Sequence, residues 1–243
     1  MTGITARQES IITQRAGPGT ELIARVDADF RDFVGDEGFP CLAGKGTVHR
    51  GDYTLGVYSE FGSRESSRAM AADLLGFVRS VPADGAGLRT FAAAFTSSPP
   101  ADEMDFEQLL WRTLQRLRDT DLGSRWDPSV SADPDDAHFS FSFGGHALFV
   151  VGLHPASSRL SRQFRWPALM FNPRAQFERL KREGRFDRMR ELVRERDVAL
   201  QGSVNPNLSD HGQASEARQY SGRATDDGWR CPFHSRATGD SAR

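Results

Sequence analysis

A β-hairpin signal followed by a buried strand constrains the fold of this chain most strongly. Over residues 138–143, polar residues alternate with three phenylalanines: Phe139, Phe141 and Phe143. Gly144 and Gly145 follow, and such a pair is typical of a two-residue hairpin turn. The return segment 147–153 is almost entirely apolar, so we predict a central strand that is buried on both faces. A sheet of this kind needs other elements packed on each side of it.

The rest of the chain supplies those elements. Apolar residues with a helical period predict helices at 21–34, 63–81, 103–120, 176–184 and 185–200. Short apolar runs predict strands at 53–59, 88–96 and 167–171, and the glycine-rich segment 35–46 is predicted to be a loop. The predicted fold class is therefore α+β, a mixed β-sheet with packed helices. We expect one domain over residues 1–243, with flexible ends at 1–19 and 235–243.

The segment 201–234 has no helical or strand periodicity, yet it is too long for an ordinary connection. It contains Tyr220, Trp229 and Phe233, whereas disordered segments are poor in aromatic residues. We therefore predict a long ordered C-terminal strap that packs on the core and closes a pocket.

Composition and charge narrow the possible functions. The apolar runs are too short to span a membrane and residues 1–19 lack a signal-peptide pattern, so we expect a soluble, cytoplasmic protein without a membrane partner. The two cysteines, Cys41 and Cys231, lack the spacing of a zinc site. The net charge of −2 makes nucleic acid the least expected partner, although residues 156–200 hold 12 basic and 6 acidic side chains.

Three places in the sequence combine reactive or charged residues with an unusual position. His154 ends the predicted buried strand and could be a base or a metal ligand, although spacing alone favours a histidine that hydrogen-bonds a carbonyl. Cys41 lies in a loop, where it could ligate iron, act as a nucleophile or be a small buried hydrophobe. Three arginines at every third position suit an anionic ligand or a solvated turn: Arg159, Arg162 and Arg165.

Several motifs of the chain resemble those of the YqcI/YcgG family of bacterial proteins. The matching segments are FPC at 39–41, WRTL at 111–114, FSFSFGG at 139–145, FVVGLHP at 149–155, SSR at 157–159, FNP at 171–173, QFE at 176–178, RD at 196–197, GSVNP at 202–206, SEARQYSGR at 215–223 and WRCPF at 229–233. Members with assigned activities are heme-dependent N-hydroxylases of guanidine groups, which act on L-arginine in D-cycloserine biosynthesis and on an arginine-derived guanidine in guanitoxin biosynthesis. The resemblance thus implies an oxidoreductase of specialised metabolism.

The resemblance implies heme b as the cofactor, dioxygen or peroxide as co-substrate, and a guanidino compound as substrate. It also implies an electron donor, such as a reductase or a ferredoxin-like protein. The preferred axial ligand of the iron is His154, because it ends a rigid strand, and the alternative is the thiolate of Cys41. Many relatives have histidine after the FNP motif, where this chain has Arg174, so an essential ligand at that position is not expected here.

The other site residues follow from the same resemblance. The heme propionates would be neutralised or hydrogen-bonded by Arg159, Arg162, Arg165, Arg223 and Ser158. Glu216 would hold the guanidinium of the substrate, and Tyr220 or Ser221 would donate protons.

Two other functions remain open at the level of the sequence. One is a heme-binding sensor or carrier without turnover, and the other is a cofactor-free binding protein for a small anion that uses the basic segment 156–200. A homo-oligomer is also possible, with the phenylalanine face of residues 139–143 as a partner surface instead of core.

Overall fold

A computed structural model describes residues 12–13, 19–210 and 212–235 of the chain. The predictions of flexible ends at 1–19 and 235–243 fall almost entirely outside these residues. The helices are α1 (Thr20–Gly35), α2 (Leu42–Arg50), α3 (Arg64–Ser80), α4 (Glu103–Thr120), α5 (Arg174–Arg182), α6 (Phe186–Gln201) and α7 (Ala217–Tyr220), with one turn of 3-10 helix at Leu160–Arg162. The strands are β1 (Ile12–Thr13), β2 (Tyr53–Tyr58), β3 (Thr90–Phe95), β4 (Phe141–Phe143), β5 (His146–Leu153) and β6 (Ala168–Pro173).

The strands form one mixed sheet in the order β1-β2-β3-β6-β5-β4. The first three strands are parallel, and helix α3 makes the crossover between β2 and β3. Strand β6 then runs antiparallel to β3, and β5 and β4 continue the antiparallel half. The α+β class with a mixed sheet is therefore confirmed.

The predicted hairpin joins β4 and β5. Phe143 pairs with His146, so the loop between them contains only Gly144 and Gly145, at φ 58° and 80°. Positive φ at both positions is typical of the turn that matches the twist of paired strands. The phenylalanines Phe139, Phe141 and Phe143 are at most 2% exposed, so this face belongs to the core and offers no surface to a second copy.

Side chains alternate across the sheet and build a separate core on each face. The α4-side core contains the aromatic residues of β3, the apolar stripe of α4 and the phenylalanines of the hairpin. The α1-side core contains residues of α1 and β2, together with Ala92 and Ala94 of β3 and Leu153 of β5. Three strap residues, Ala217, Tyr220 and Phe233, are buried in the α4-side core. The strap is therefore ordered and packed on the core, as predicted.

The segment 35–46 is only partly a loop, because α2 begins at Leu42. The cysteine before the helix, Cys41, caps it by accepting a hydrogen bond from the Gly44 N–H at 3.3 Å. Gly44 and Gly46 lower the helix propensity of this segment, which is why the sequence pattern missed the helix. Burial of Thr47 and Val48 compensates for that low propensity. Among all described helices, none combines the length and apolar character needed to cross a membrane.

We expect the replacement Gly152→Ala to destabilise the protein by about 1–3 kcal/mol, because β5 and α4 approach each other too closely for a Cβ atom there. A methyl group at Gly152 would overlap Cε1 of Phe106 and lie 3.0 Å from the carbonyl oxygen of Tyr220. The control is Gly76→Ala in the interior of α3, where a Cβ would meet nothing within 4 Å. That variant should gain about 0.5–1 kcal/mol. Urea denaturation of both variants measures the difference, and equal stabilities would contradict the close approach.

Candidate functional site

A cavity of about 340 Å³ lies on the α1 side of the sheet. Its apolar wall is formed by side chains of α1, α2, β5 and β6: Phe30, Val34, Val48, Phe149, Val151 and Met170. Strand β5 is thus internal, as predicted, but Phe149 and Val151 are only half-buried because they face this cavity. The volume and the apolar lining match the sites that proteins use for small ligands and cofactors.

The polar part of the cavity lining is strongly basic. Five arginines line it: Arg89, Arg159, Arg162, Arg190 and Arg194. Among the described residues that line the cavity, Asp197 is the only carboxylate. Low-dielectric walls strengthen the field of these charges, so the cavity favours a ligand with anionic groups.

Most of these arginines already have partners in the protein. Arg159 donates to Oδ2 of Asp197 at 2.6 Å, and its side chain is only 7% exposed. Arg190 and Arg194, on consecutive turns of α6, both bind Asp210 in the strap, at 2.6 and 3.2 Å. These pairs neutralise part of the basic lining and hold α6 against the rest of the site.

Arg162 differs because it has no carboxylate partner among the described residues. Its guanidinium donates only to backbone carbonyl oxygens, those of Gly152, Gln219 and Tyr220, at 2.9–3.3 Å. The pKa of Arg162 is lowered to about 10, chiefly by burial and also by the nearby charge of Arg159, while Asp197 and Glu103 oppose the shift. Arg162 is therefore still a cation at neutral pH, and an anionic ligand group in the cavity would balance its charge.

Among the described residues, Cys41 is the one cysteine that lines the cavity. Its position at the N-cap of α2 places Sγ beside the helix N-terminus, where the Gly44 N–H donates to it. Burial raises the pKa of the thiol, and hydrogen bonds from the backbone of Gly44 and Ala43 partly offset that effect. A metal at Sγ would deprotonate the thiol, and the helix N-terminus would stabilise the thiolate.

His154 lies on the other face of the sheet. The preceding residue, Leu153, faces the cavity, whereas the His154 ring stacks on Phe106 of α4 with a centroid distance of 4.1 Å and an interplanar angle of 14°. The residue is fully buried, and neither ring nitrogen has a hydrogen-bond partner in the described segments. Burial lowers the pKa of His154 to about 4, so the imidazole is neutral. The expected hydrogen bond to a carbonyl is not formed, and the ring does not line the cavity.

The strap residues predicted to act on the substrate form a buried network of their own. Glu216 accepts hydrogen bonds from Arg174 at 2.9 Å and from the hydroxyl of Tyr220 at 2.7 Å. The Tyr220 oxygen in turn accepts from the N–H of Phe141 at 3.0 Å. Burial raises the pKa of Glu216, and the charge of Arg174 opposes that shift. The guanidinium that Glu216 holds is therefore that of Arg174, and none of these groups lines the cavity.

The remaining predicted residues also lie away from the cavity. Arg165 is half-exposed and pairs with Asp29, Arg223 pairs with Glu107, Ser158 binds Glu103, and the hydroxyl of Ser221 accepts from the N–H of Arg223. Of the predicted set, the structure thus brings Cys41, Arg159 and Arg162 together at one cavity. No sequence pattern pointed to a site role for Arg190, Arg194 or Asp197, although Asp197 belongs to a motif of the family resemblance. Their basic segment was noticed, but the pattern could not show which face of α6 lines a cavity.

The donor types at the cavity would suit a heme held through a thiolate, although the present volume of about 340 Å³ is smaller than a heme and would have to widen to hold one. The described residues contain no group of three or more His, Cys, Asp or Glu side chains that could hold a metal ion, but a heme iron needs only one axial ligand from the protein. Cys41 provides a sulfur, the wall opposite α6 is apolar, and the arginines suit two propionates.

The YqcI/YcgG family model matches residues 30–234, so the chain belongs to that family. Two curated relatives from Bacillus subtilis (strain 168) are similar: the uncharacterized protein YcgG, with 33% identity over 120 residues, and the uncharacterized protein YqcI, with 33% identity over 121 residues. The matches cover 47% and 48% of this chain, and this chain spans about half (47%) of the length of each relative. No solved structure matches the chain.

We expect the neutral, buried His154 to make the fold sensitive to acid. Its pKa is about 4 in the folded protein, below the ordinary value of 6.5 that applies to the unfolded chain, so the unfolded chain binds the additional proton. The stability that depends on the neutral ring is present above pH 6.5 and is lost as the pH falls towards 4, by about 3 kcal/mol. Denaturation between about pH 7 and 4 should show this loss in the wild type, and His154→Phe should lack it.

A matched control is His138→Gln, because the His138 side chain is 65% exposed. This variant should keep the pH dependence of the wild type. If His154→Phe and the wild type lost stability in parallel, the imidazole would not be the group responsible.

Proposed function

We propose that this member of the YqcI/YcgG family is a heme-dependent N-hydroxylase of a guanidino compound, with heme in the cavity and Cys41 as the axial ligand. The observation that carries the proposal is the position of Cys41, whose sulfur caps α2 and lies at an apolar cavity with a basic polar lining. The guanidine chemistry itself comes from the resemblance to family members of assigned activity.

Cys41 is a better axial ligand than His154 for a geometric reason. A ligand in the cavity has the sheet between itself and the His154 ring, because β5 places Leu153 and His154 on opposite faces. A thiolate that accepts backbone hydrogen bonds at a helix N-terminus is also a suitable ligand for oxygen activation, since its electron density favours O–O cleavage.

The basic lining would bind the propionates. Arg162 has no counter-ion among the described residues, so a propionate there would neutralise a buried charge without breaking an ion pair. Arg159, Arg190 and Arg194 would donate further hydrogen bonds to the propionates while they keep their ion pairs with Asp197 and Asp210. Arg165, Arg223 and Ser158 do not line the cavity and are not part of the proposed site.

A cationic guanidinium needs a carboxylate, and Asp197 takes the role that the sequence suggested for Glu216. One of its oxygens binds Arg159, whereas Oδ1 has only a long contact of 3.4 Å with the hydroxyl of Ser161. That oxygen can accept a hydrogen bond from a substrate N–H. The Asp197 side chain is only 13% exposed, so little water competes for this interaction.

Heme, when bound, supplies the oxygen chemistry, and the protein supplies binding, orientation and electrostatics. With dioxygen, one oxygen atom goes to the guanidine nitrogen and the other leaves as water, which consumes two electrons from a donor and two protons. With peroxide, the same product and water form without added electrons. We propose a reductase or a ferredoxin-like protein as the electron donor.

A second candidate is a cofactor-free binding protein for a small anion. The observation that favours it is the excess of five arginines over one carboxylate at the cavity. It requires that the purified protein be colourless and that added hemin be removed completely by gel filtration. A heme-binding sensor or carrier without turnover would instead bind hemin and yield no hydroxylated product.

We expect the protein produced with a heme precursor to show a Soret band, and its ferrous carbon monoxide complex to show the strongly red-shifted band of a thiolate ligand. Cys41→Ser should lose that shifted band, because it removes the sulfur from the cavity. Absorption spectra of both proteins measure the change, and mass spectrometry after incubation with L-arginine, a reductant and dioxygen tests for the gain of one oxygen.

Two variants serve as controls for that experiment. Cys231→Ser removes a thiol that does not line the cavity and whose pKa burial raises to about 12, so the spectrum should not change. His154→Phe should also keep the thiolate-type band. A histidine-type band in the wild type that disappears in His154→Phe would refute Cys41 as the ligand.

A further inference from the structure

Helix α6 is the one long helix of the described chain that contributes no buried residue. By contrast, α4 buries Phe106, Leu110, Leu114 and Leu117 completely. The inner face of α6 lines the cavity with Met189, Val193 and Asp197 instead of packing on a core. Moving α6 outward would therefore open the cavity and expose little apolar surface that is now buried.

A glycine with left-handed backbone angles lies at each end of α6. Gly184 precedes the helix with φ 66°, and Gly202 ends it with φ 78°. A Cβ atom at either position would meet nothing within 4 Å, and within the described chain each glycine N–H donates only to the preceding helical turn, to Lys181 and Val198 respectively. Glycine accepts large changes of φ and ψ at low cost, which is the property that a hinge needs.

Polar contacts hold α6 in place. Asp197 of α6 binds Arg159, and both Arg190 and Arg194 bind Asp210 of the strap. Arg196 donates to the carbonyl oxygens of Glu37 and Phe39, close to Cys41 in the chain. Near its end, Gln201 exchanges hydrogen bonds with the backbone of residues 158 and 160, at 2.9 and 2.7 Å. Such contacts can be replaced by water one at a time, whereas a buried apolar face cannot.

We propose that α6 is a hinged lid, which opens as a unit about Gly184 and Gly202 to admit the ligand of the cavity. The polar contacts of Asp210 and Arg196 are its latches. This inference goes beyond the proposed function, because it holds for heme, for a guanidino compound and for a simple anion alike.

Hydrogen exchange of the full-length protein, measured by mass spectrometry before any ligand is added, tests the lid. The amides of α6 should exchange together and faster than those of α4, because opening of the lid requires less than global unfolding. Asp210→Asn and Arg196→Met should each speed exchange in α6 by at least about tenfold, since each removes charge-assisted hydrogen bonds, and leave α4 unchanged. The matched control is Arg188→Met on the exposed face of α6, which should change neither helix.

The result that would overturn the lid is exchange of α6 and α4 at the same rate, with both variants affecting the two helices equally. Two latch variants are used so that misfolding of one does not prevent the test. Hemin is then added as the probe: if it binds, α6 should become protected. If hemin does not bind but α6 still exchanges separately in the ligand-free protein, the lid stands and the heme proposal fails.

Discussion

The alternation of side chains along β5 is the constraint on which the rest of the site depends. Successive residues of a strand point to opposite faces of the sheet. Phe149, Val151 and Leu153 therefore face the cavity, while Gly152 and His154 meet Phe106 of α4 on the other side. This one property separates the thiol of Cys41 from the imidazole of His154, the two residues that the sequence offered as alternative axial ligands for an iron.

Some buried charges of the protein have an oppositely charged partner within the described chain, and others do not. The network of Glu216, Arg174 and Tyr220 satisfies its own carboxylate, and it ties the strap to α5 and the hairpin. Arg162 instead donates hydrogen bonds to backbone carbonyl oxygens, and no described carboxylate pairs with its charge. A cation in a cavity is costly to keep without an anion, so this asymmetry points to the ligand more directly than the number of arginines does.

The cavity lies between two parts of the protein that are packed differently. The sheet, α1 and α2 form one wall with apolar side chains that pack in the α1-side core, and Cys41 lies on this wall. Helix α6 forms the other wall through ion pairs and hydrogen bonds, without a buried residue. Sites that must exchange ligands often hold the reactive group on a well-packed wall and control access through a weakly packed one.

The sequence by itself determined the α+β class, the hairpin, most helices and the ordered strap, and it named Cys41, Arg159 and Arg162 among a larger set of candidate site residues. Local periodicity and turn chemistry carry that information, because they depend on neighbours in the chain. The tertiary structure alone decided that His154, Glu216, Tyr220, Ser221, Arg165, Arg223 and Ser158 lie away from the cavity and that Asp197, Arg190 and Arg194 line it. Which face of a strand or helix meets a cavity depends on how distant segments pack, and the spacing of residues along the chain does not contain that information.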